Sequence, residues 1–340
     1  KDYLDLEKKE NIKYIPLLVK RKITILSDLV FLLQSINVIL KIQPAIIHSF
    51  FPKPVLIMAI AAYLCRVQHR VITFTGLVFP SRSGFIRKLL FLFDKLSCAI
   101  STKVLAEGKD VKDEMINFKI TNKEILVIGN GNISGVDVKY FDPKKDYSYI
   151  NTKISKNLFN NKKTNLIYVG RMSDEKGINE LLEAYDQSNK DCNLILVGDY
   201  ESDKIQKKVE ERKKLGLDIY HFDYQNDVRP FYFIADVFVL PSYREGFSNV
   251  LLEAGSMALP ALVTDVNGSR EIIDNNINGW IIPIKDVSSI KDKLNSISQL
   301  NNNLLIEMGN KFRNKVVKLY SHEEQKSNIL HFYNSLTNDL

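Results

Sequence analysis

The sequence predicts an α/β protein of two doubly wound domains in tandem, and three observations carry that prediction. Its 340 residues exceed what a single core serves, because cores stop growing at about 250–300 residues and chains then split. Strand-like apolar runs alternate with helical ones from end to end, which is the signature of βα units and parallel sheets. Between about Phe141 and Thr164 the alternation dissolves into DPKKDYSYINTKISKNLFNNKKT, polar, rich in Asn and Lys and carrying Pro143, so the chain divides there.

In the first half, strands are expected at 13–17, 45–50, 70–75, 99–105 and 124–128. Helices fill the gaps at 27–42, where Ser27 can cap, at 53–66, entered by Pro54 in the first turn, and at 84–96 and 108–117. The second half restarts with a strand at 165–169 and continues through a helix at 178–187, a strand at 193–197 and a helix at 202–215. Strands at 217–221 and 236–240, a helix at 249–258 and a strand at 261–264 follow, then long amphipathic helices to the end. There is no internal sequence repeat.

Composition narrows the function classes. With 45% hydrophobic and 26% charged residues the chain is a globular protein and not a disordered one. The longest uninterrupted apolar run, VLIMAIAAYLC, falls short of the roughly 20 residues that cross a bilayer. Cys65, Cys98 and Cys192 lie far apart without metal-ligand spacing, so buried thiols in a reducing cytoplasm are expected and structural zinc is not. The net charge of +7 suits an anionic partner. Nucleic acid is disfavoured, since the cations are dispersed and no aromatic-basic motif occurs.

Open α/β sheets bind ligands beyond the carboxyl ends of their strands, so the residues just after a strand say most about function. After NLIYV comes GRMSDEKG, which puts Arg171 and Lys176 beside Gly170 and Gly177 ahead of a helix N-terminus, a good cradle for a diphosphate. After DVFVL comes PSYREGFSNVLLEAGSMALP. Helix rise separates Glu245 and Glu253 by roughly 12 Å, about the length of a nucleotide's ribose plus diphosphate. Asn249 shares a helix face with Glu253, and the amides of Gly246, Phe247 and Ser248 stand at the helix start, free to donate to phosphate while the carboxylates accept from sugar hydroxyls. Glu253 lies between Leu252 and Ala254 in an apolar helix, where an acid needs a partner.

GNGNISG, from Gly129 to Gly135, imitates a dinucleotide fingerprint but reads GxGxxxG and runs toward Pro143 without a helical period. Its expected role is to let the chain lie close to a ligand in a cleft between the domains. His48 ends the strand AIIHSF, where it either faces that cleft or serves the fold; the other histidines form no constellation. No Asp-x-Asp pair occurs, which argues against a protein-held divalent cation on a sugar nucleotide. The helix GFIRKLLFLFDKL is apolar over most of its surface, with Arg82, Arg87, Lys88 and Lys95 at its edges. It suits either an anionic membrane interface or packing against the sheet.

These residues carry a family resemblance. VGRMSDEKGINELLEAY, DVFVLPSYREGFSNVLLEAGSMALPALVTDVNGSREII and NGWIIP resemble the donor domain of the retaining glycosyltransferases of family 4, which have the GT-B architecture of two Rossmann-like domains facing a cleft. The pair of glutamates at Glu245 and Glu253 matches the hallmark of that family. HSFFPKP, TFTGLVF and GNGNISGVDVKYFDP are similar to the subgroup that builds bacterial O-antigen and capsule on polyprenyl-diphosphate carriers.

The resemblance implies a site in which Arg171 and Lys176 hold a UDP-sugar's diphosphate and stabilise its departure. Glu253 would bind the ribose, Glu245 the transferred sugar with Gly246 to Ser248, and Tyr224, Gln225 and Asn226 the base. His48, Thr75, Gly76 and Asn130 would lie toward the acceptor, with Thr75 standing where many members carry His. It further implies a lipid-linked saccharide acceptor, an anionic membrane surface met through the N-terminal domain at the cytoplasmic face, and no metal or other cofactor. The match begins about 50 residues into the family pattern, so the N-terminal domain is expected to lack its first strand and loop.

The implied domains are 1–145, binding acceptor, and 164–320, binding donor, joined by a linker at 146–163, with a C-terminal helix at 321–340 packing back toward the first. A UDP-sugar epimerase of the same architecture and a catalytically inactive nucleotide-sugar-binding protein are the rival readings.

Overall fold

The computed structural model describes residue 7 and residues 12–18, 24–50, 52–147 and 163–337. The chain forms two compact units, one of Lys1–Ala106 with Lys112–Leu126 and one of Glu107–Val111 with Val127–Leu340. The division therefore falls earlier than the expected boundary at 145, and the glycine-rich turn belongs to the second unit. So does the described part of the C-terminal helix, because the His322 amide donates to the Val136 carbonyl and the side chain of Gln325 reaches Asn132. Most of the expected linker, 148–162, lies outside the described residues.

The first unit carries helix α1 (Ile25–Ile42), strand β1 (Ile46–Phe50), helix α2 (Pro52–Leu64), strand β2 (His69–Phe74), helix α3 (Gly84–Ile100) and strand β3 (Lys103–Ala106). Helix α4 (Lys109–Asn117) and strand β4 (Ile125–Val127) follow, and the sheet order is β1-β2-β3-β4 with β1, β2 and β3 paired in parallel.

Residues 13–17 form no strand, since no ladder partner is present among the described residues. Helix α1 starts at Ile25 behind Thr24, with Ser27 inside it and no capping side chain. Its 18 residues are long and apolar enough to cross a membrane by length and composition alone. Uninterrupted apolar runs missed this, because Asp28, Gln34 and Asn37 break them. Part of α1 packs against a neighbouring helix, however, with Ile39 against Ala61 and Ala62 of α2.

Helix α3 continues four residues beyond its expected end. Lys123 donates its ammonium to the carbonyls of Cys98, Ala99 and Ser101, at 2.7, 2.8 and 2.5 Å, and so satisfies a helix end that lacks partners of its own. Ala99 and Ile100 thus close the helix instead of opening the strand expected at 99–105, which begins at Lys103.

The second unit runs β5 (Thr164–Val169), α5 (Ile178–Gln187), β6 (Cys192–Val197), α6 (Asp203–Lys214), β7 (Ile219–Phe222), α7 (Arg229–Phe233), β8 (Val237–Leu240) and α8 (Asn249–Ser256). It continues with β9 (Ala261–Thr264), α9 (Ser269–Ile272), β10 (Gly279–Ile282), α10 (Val287–Ser298), α11 (Asn302–Leu319) and α12 (His322–Thr337). The short elements α7, α9 and β10 carry too few residues to show a period.

The sheet is parallel in the order β10-β9-β8-β5-β6-β7. Its central strands are buried on both faces, which explains why NLIYV, NLILV and VFVL read as continuous apolar runs. From α8, Leu251 and Leu252 are wholly buried against the sheet, each stabilising the fold by about 1.5–3 kcal/mol.

Candidate functional site

The chain order reverses between β5 and β8, so the crevice beyond their carboxyl ends is the place where this topology leaves room for a ligand. Both loops singled out in the sequence open there. The loop after β5 carries Gly170, Arg171 and Lys176, and reaches α5 through Gly177. A Cβ at Gly177 would stand 2.0 Å from the Pro241 carbonyl oxygen, so only glycine lets the two loops approach. The Tyr243 amide also donates to the Glu175 carbonyl at 2.9 Å, tying the loops directly.

That contact brings two of the expected residues together: Lys176 Nζ lies 2.6 Å from Glu245 Oε1. The Glu245 side chain is only 10% exposed, so the pair is largely desolvated and its charges are worth more to each other than on an open surface. Arg171 is turned elsewhere, paired with Glu201 at 2.6 Å in solvent. Beyond Glu245 the amides of Gly246, Phe247 and Ser248 have no hydrogen-bond partner among the described residues, and Ser248 is the N-cap of α8. An unpaired helix start beside an ammonium has the donors and the charge to receive an anion.

One turn further along α8, Glu253 and Asn249 line a cavity of about 330 Å³ together with Asp137, Tyr140 and His322. The Glu253 carboxylate accepts from the Tyr232 hydroxyl at 3.1 Å. Burial pushes its carboxyl up to about 7, and the Tyr232 hydrogen bond opposes the rise. Neither Arg171 nor Lys176 lines this cavity. The described site thus has two centres, an ion pair at the start of α8 and a buried carboxylate in its middle.

Tyr224, Gln225 and Asn226 follow β7. The Tyr224 amide donates to Asp199 at 3.0 Å while its ring stands in solvent, and the Gln225 side chain donates to the Asp223 carbonyl at 3.0 Å. In the first unit, His48 Nε2 lies 2.7 Å from Thr73 Oγ1, and burial lowers the imidazole to about 4. The imidazole is thus neutral near pH 7 and engaged with the sheet. Thr75 and Gly76 lie just past β2, and Asn130 is in an exposed turn of the second unit.

Sequence reasoning missed Asn132. It is buried in left-handed backbone (φ 65°), its amide nitrogen donates to Asn249 Oδ1 at 2.9 Å, and its oxygen accepts from the amides of Ser134 and Gly135. At Gly131 (φ 90°) a Cβ would stand 2.9 Å from the Phe247 ring. The glycine-rich turn therefore braces the start of α8. The available signal was a second Asn inside a glycine-rich turn, a residue type that tolerates left-handed backbone and bonds it locally.

Two family models match the chain, Glycosyl transferases group 1 over residues 150–318 and Glycosyl transferase 4-like over residues 3–106. Among curated proteins, the chain is 28% identical to the capsular polysaccharide biosynthesis glycosyltransferase CapM of Staphylococcus aureus, covering 93% of this chain and 83% of that one. It is 27% identical to the UDP-Gal:alpha-D-GlcNAc-diphosphoundecaprenol alpha-1,3-galactosyltransferase of Escherichia coli, covering 98% and 85%.

Among solved structures, Anabaena HepE in complex with UDP superposes with a TM-score of 0.80 at 18% identity, over 98% of this chain and 89% of that one. A glycosyltransferase from Rickettsia africae superposes with a TM-score of 0.81 at 22% identity, over 99% and 88%. These likenesses establish the two-domain GT-B fold. The two parallel sheets, the loaded loops beyond β5 and β8 and the two matching models together make this chain a GT-B glycosyltransferase of family 4.

Proposed function

We propose that the protein is a retaining glycosyltransferase that moves a hexose or N-acetylhexosamine from a UDP-sugar to a polyprenyl-diphosphate-linked saccharide. The observation that carries this reading is the start of α8, where a largely desolvated Lys176–Glu245 pair adjoins three unpartnered backbone amides, with Glu253 one turn beyond. The amides and the Lys176 ammonium bind the diphosphate, and Arg171 leaves Glu201 to add a second cation. Glu253 accepts from the ribose hydroxyls. Once the ammonium turns to phosphate, Glu245 is released to accept from the sugar.

As the glycosidic bond breaks, negative charge grows on the departing UDP. The fixed amides and cations meet it without reorganisation and without a bound metal. The acceptor hydroxyl attacks the oxocarbenium-like sugar from the face that UDP leaves and gives its proton to the departing phosphate oxygen, so the anomeric configuration is kept. Support for the donor comes from the HepE complexes with UDP and with UDP-glucose, and for the acceptor from the diphosphoundecaprenol substrate in the Escherichia coli relative's name.

The enzyme works peripherally at the cytoplasmic face of the membrane. Helix α3 exposes Phe85, Ile86 and Leu92 beside Arg87 and Lys88, a surface suited to anionic lipid. The decisive experiment incubates the protein with UDP-hexoses and UDP-N-acetylhexosamines and a polyprenyl-diphosphate-linked N-acetylglucosamine. Mass spectrometry identifies the product and NMR its anomeric configuration. An inverted linkage, or no transfer from any UDP-sugar, overturns the reading.

A further inference from the structure

The mechanism uses Glu253 but leaves open what aims it. We infer that Tyr232 is the positioning residue of the donor site, holding the Glu253 carboxylate in the one orientation that accepts ribose hydroxyls; this rests on the ribose role proposed above. Tyr232 sits in α7, on a different element from its partner, and is wholly buried between the rings of Phe141 and Phe238, with centroids 6.3 and 6.1 Å away. Its hydroxyl lies 3.1 Å from Glu253 Oε2 and 3.3 Å from the Val250 carbonyl oxygen. A glutamate has three side-chain torsions and little reason to hold one setting at the wall of a cavity. A phenol fixed by packing removes that freedom, occupying one carboxylate oxygen and leaving the other for ligand.

Desolvation alone would also favour the protonated acid, which no longer accepts from two hydroxyls. The donated hydrogen bond works against that and favours the carboxylate. Other titratable groups face the cavity: Asp137 and Tyr140 from the segment after the glycine-rich turn, and His322 at the start of α12. They remain in every variant below, so their titration cancels between arms.

The test is a double-mutant cycle read by calorimetry with UDP, which carries the ribose and diphosphate without the sugar. Tyr232→Phe removes one oxygen atom and keeps the ring. Its UDP Kd is expected to rise about 10-fold, the size of a lost hydrogen bond to a charged group, with the pH at which binding sets in displaced upward and kcat nearly unchanged. In a Glu253→Ala background the same substitution should cost nothing, since the carboxylate it acts through is gone.

Equal losses in both backgrounds, or a loss independent of pH, would mark a packing role and overturn the inference. Weakened UDP binding in Glu253→Ala with Tyr232→Phe matching wild type overturns it while sparing the ribose assignment. Unchanged binding in Glu253→Ala sinks both. If Tyr232→Phe does not fold, 3-fluorotyrosine at position 232 makes the hydroxyl a stronger donor and should move the onset of binding to lower pH; no movement counts against the inference.

Discussion

Helix α5 of the second unit and helices α1 and α3 of the first are all apolar helices beside a parallel sheet's domain core, yet they spend their apolar side chains differently. In ten residues α5 buries Ile178, Leu181, Leu182, Ala184 and Tyr185. In 18 residues α1 buries Phe31, Ser35 and Ile39 and leaves Ile25 and Leu26 more than 80% exposed. Helix α3 buries Ser97 and Cys98 while Phe85 is 76% exposed. Contiguous exposed apolar surface signals interaction more often than accident. The contrast teaches that the second unit's candidate site lies at strand ends over a well-buried core, whereas the described residues of the first unit carry apolar surface in excess of what its core uses.

The largest expected effect tests the second unit. Lys176→Ala should lower kcat/KM for transfer by about 10²–10³-fold, because it removes the charge proposed to meet the leaving group and strands Glu245 in a desolvated position. A loss below threefold would show that the ion pair serves stability alone.

Next comes Glu253. Glu253→Ala should weaken UDP binding by about 2 kcal/mol, or roughly 30-fold, in calorimetry. Because burial raises the carboxyl to about 7, wild-type affinity should fall as pH drops through that value and the acceptor protonates. Stability runs the other way. A carboxyl whose folded pKa is raised favours the fold fully below its unfolded value near 4.5, and that contribution is lost as pH rises toward 7. Glu253→Gln should therefore melt at a higher temperature than wild type at pH 8 while binding UDP less well, a measurable exchange of stability for function.

The first unit's surplus is tested by Phe85→Ser with Ile86→Ser, expected to reduce sedimentation with anionic vesicles by about 10-fold while leaving UDP affinity unchanged. Vesicle binding equal to wild type would leave that surface without a lipid role. The smallest effect belongs to the brace. Asn132→Ala should cost about 1–2 kcal/mol in denaturant unfolding, through buried amides that lose their acceptor and a left-handed backbone that alanine resists. Asn132→Gly should recover the backbone part.

Legibility followed the same division. Strands β5, β6 and β8 were readable because a strand buried on both faces must be apolar throughout, and the loops after β5 and β8 because ligand chemistry needs glycine, cations and acids in short compass. The end of α3 was not readable, since a lysine more than 20 residues away satisfies its carbonyls. The strand expected at 13–17 failed for a related reason, as extended apolar character does not supply a partner. Nor was the allegiance of the glycine-rich turn visible: it adjoins the first unit in sequence but braces α8 of the second.

By itself the sequence determined the periods, the glycines and the charges, hence the alternation of strand and helix and the two loops that carry the acids and cations. Each of those is a local property, set by side-chain size, backbone freedom and spacing along one element. Only tertiary structure decided which groups meet: Lys176 with Glu245, Arg171 with Glu201, Tyr232 with Glu253, and Asn132 with Asn249. Those partnerships join residues 21 to 117 positions apart. No periodicity encodes them, because they depend on how the strands order within the sheet and on which side chains the packed core leaves facing one another.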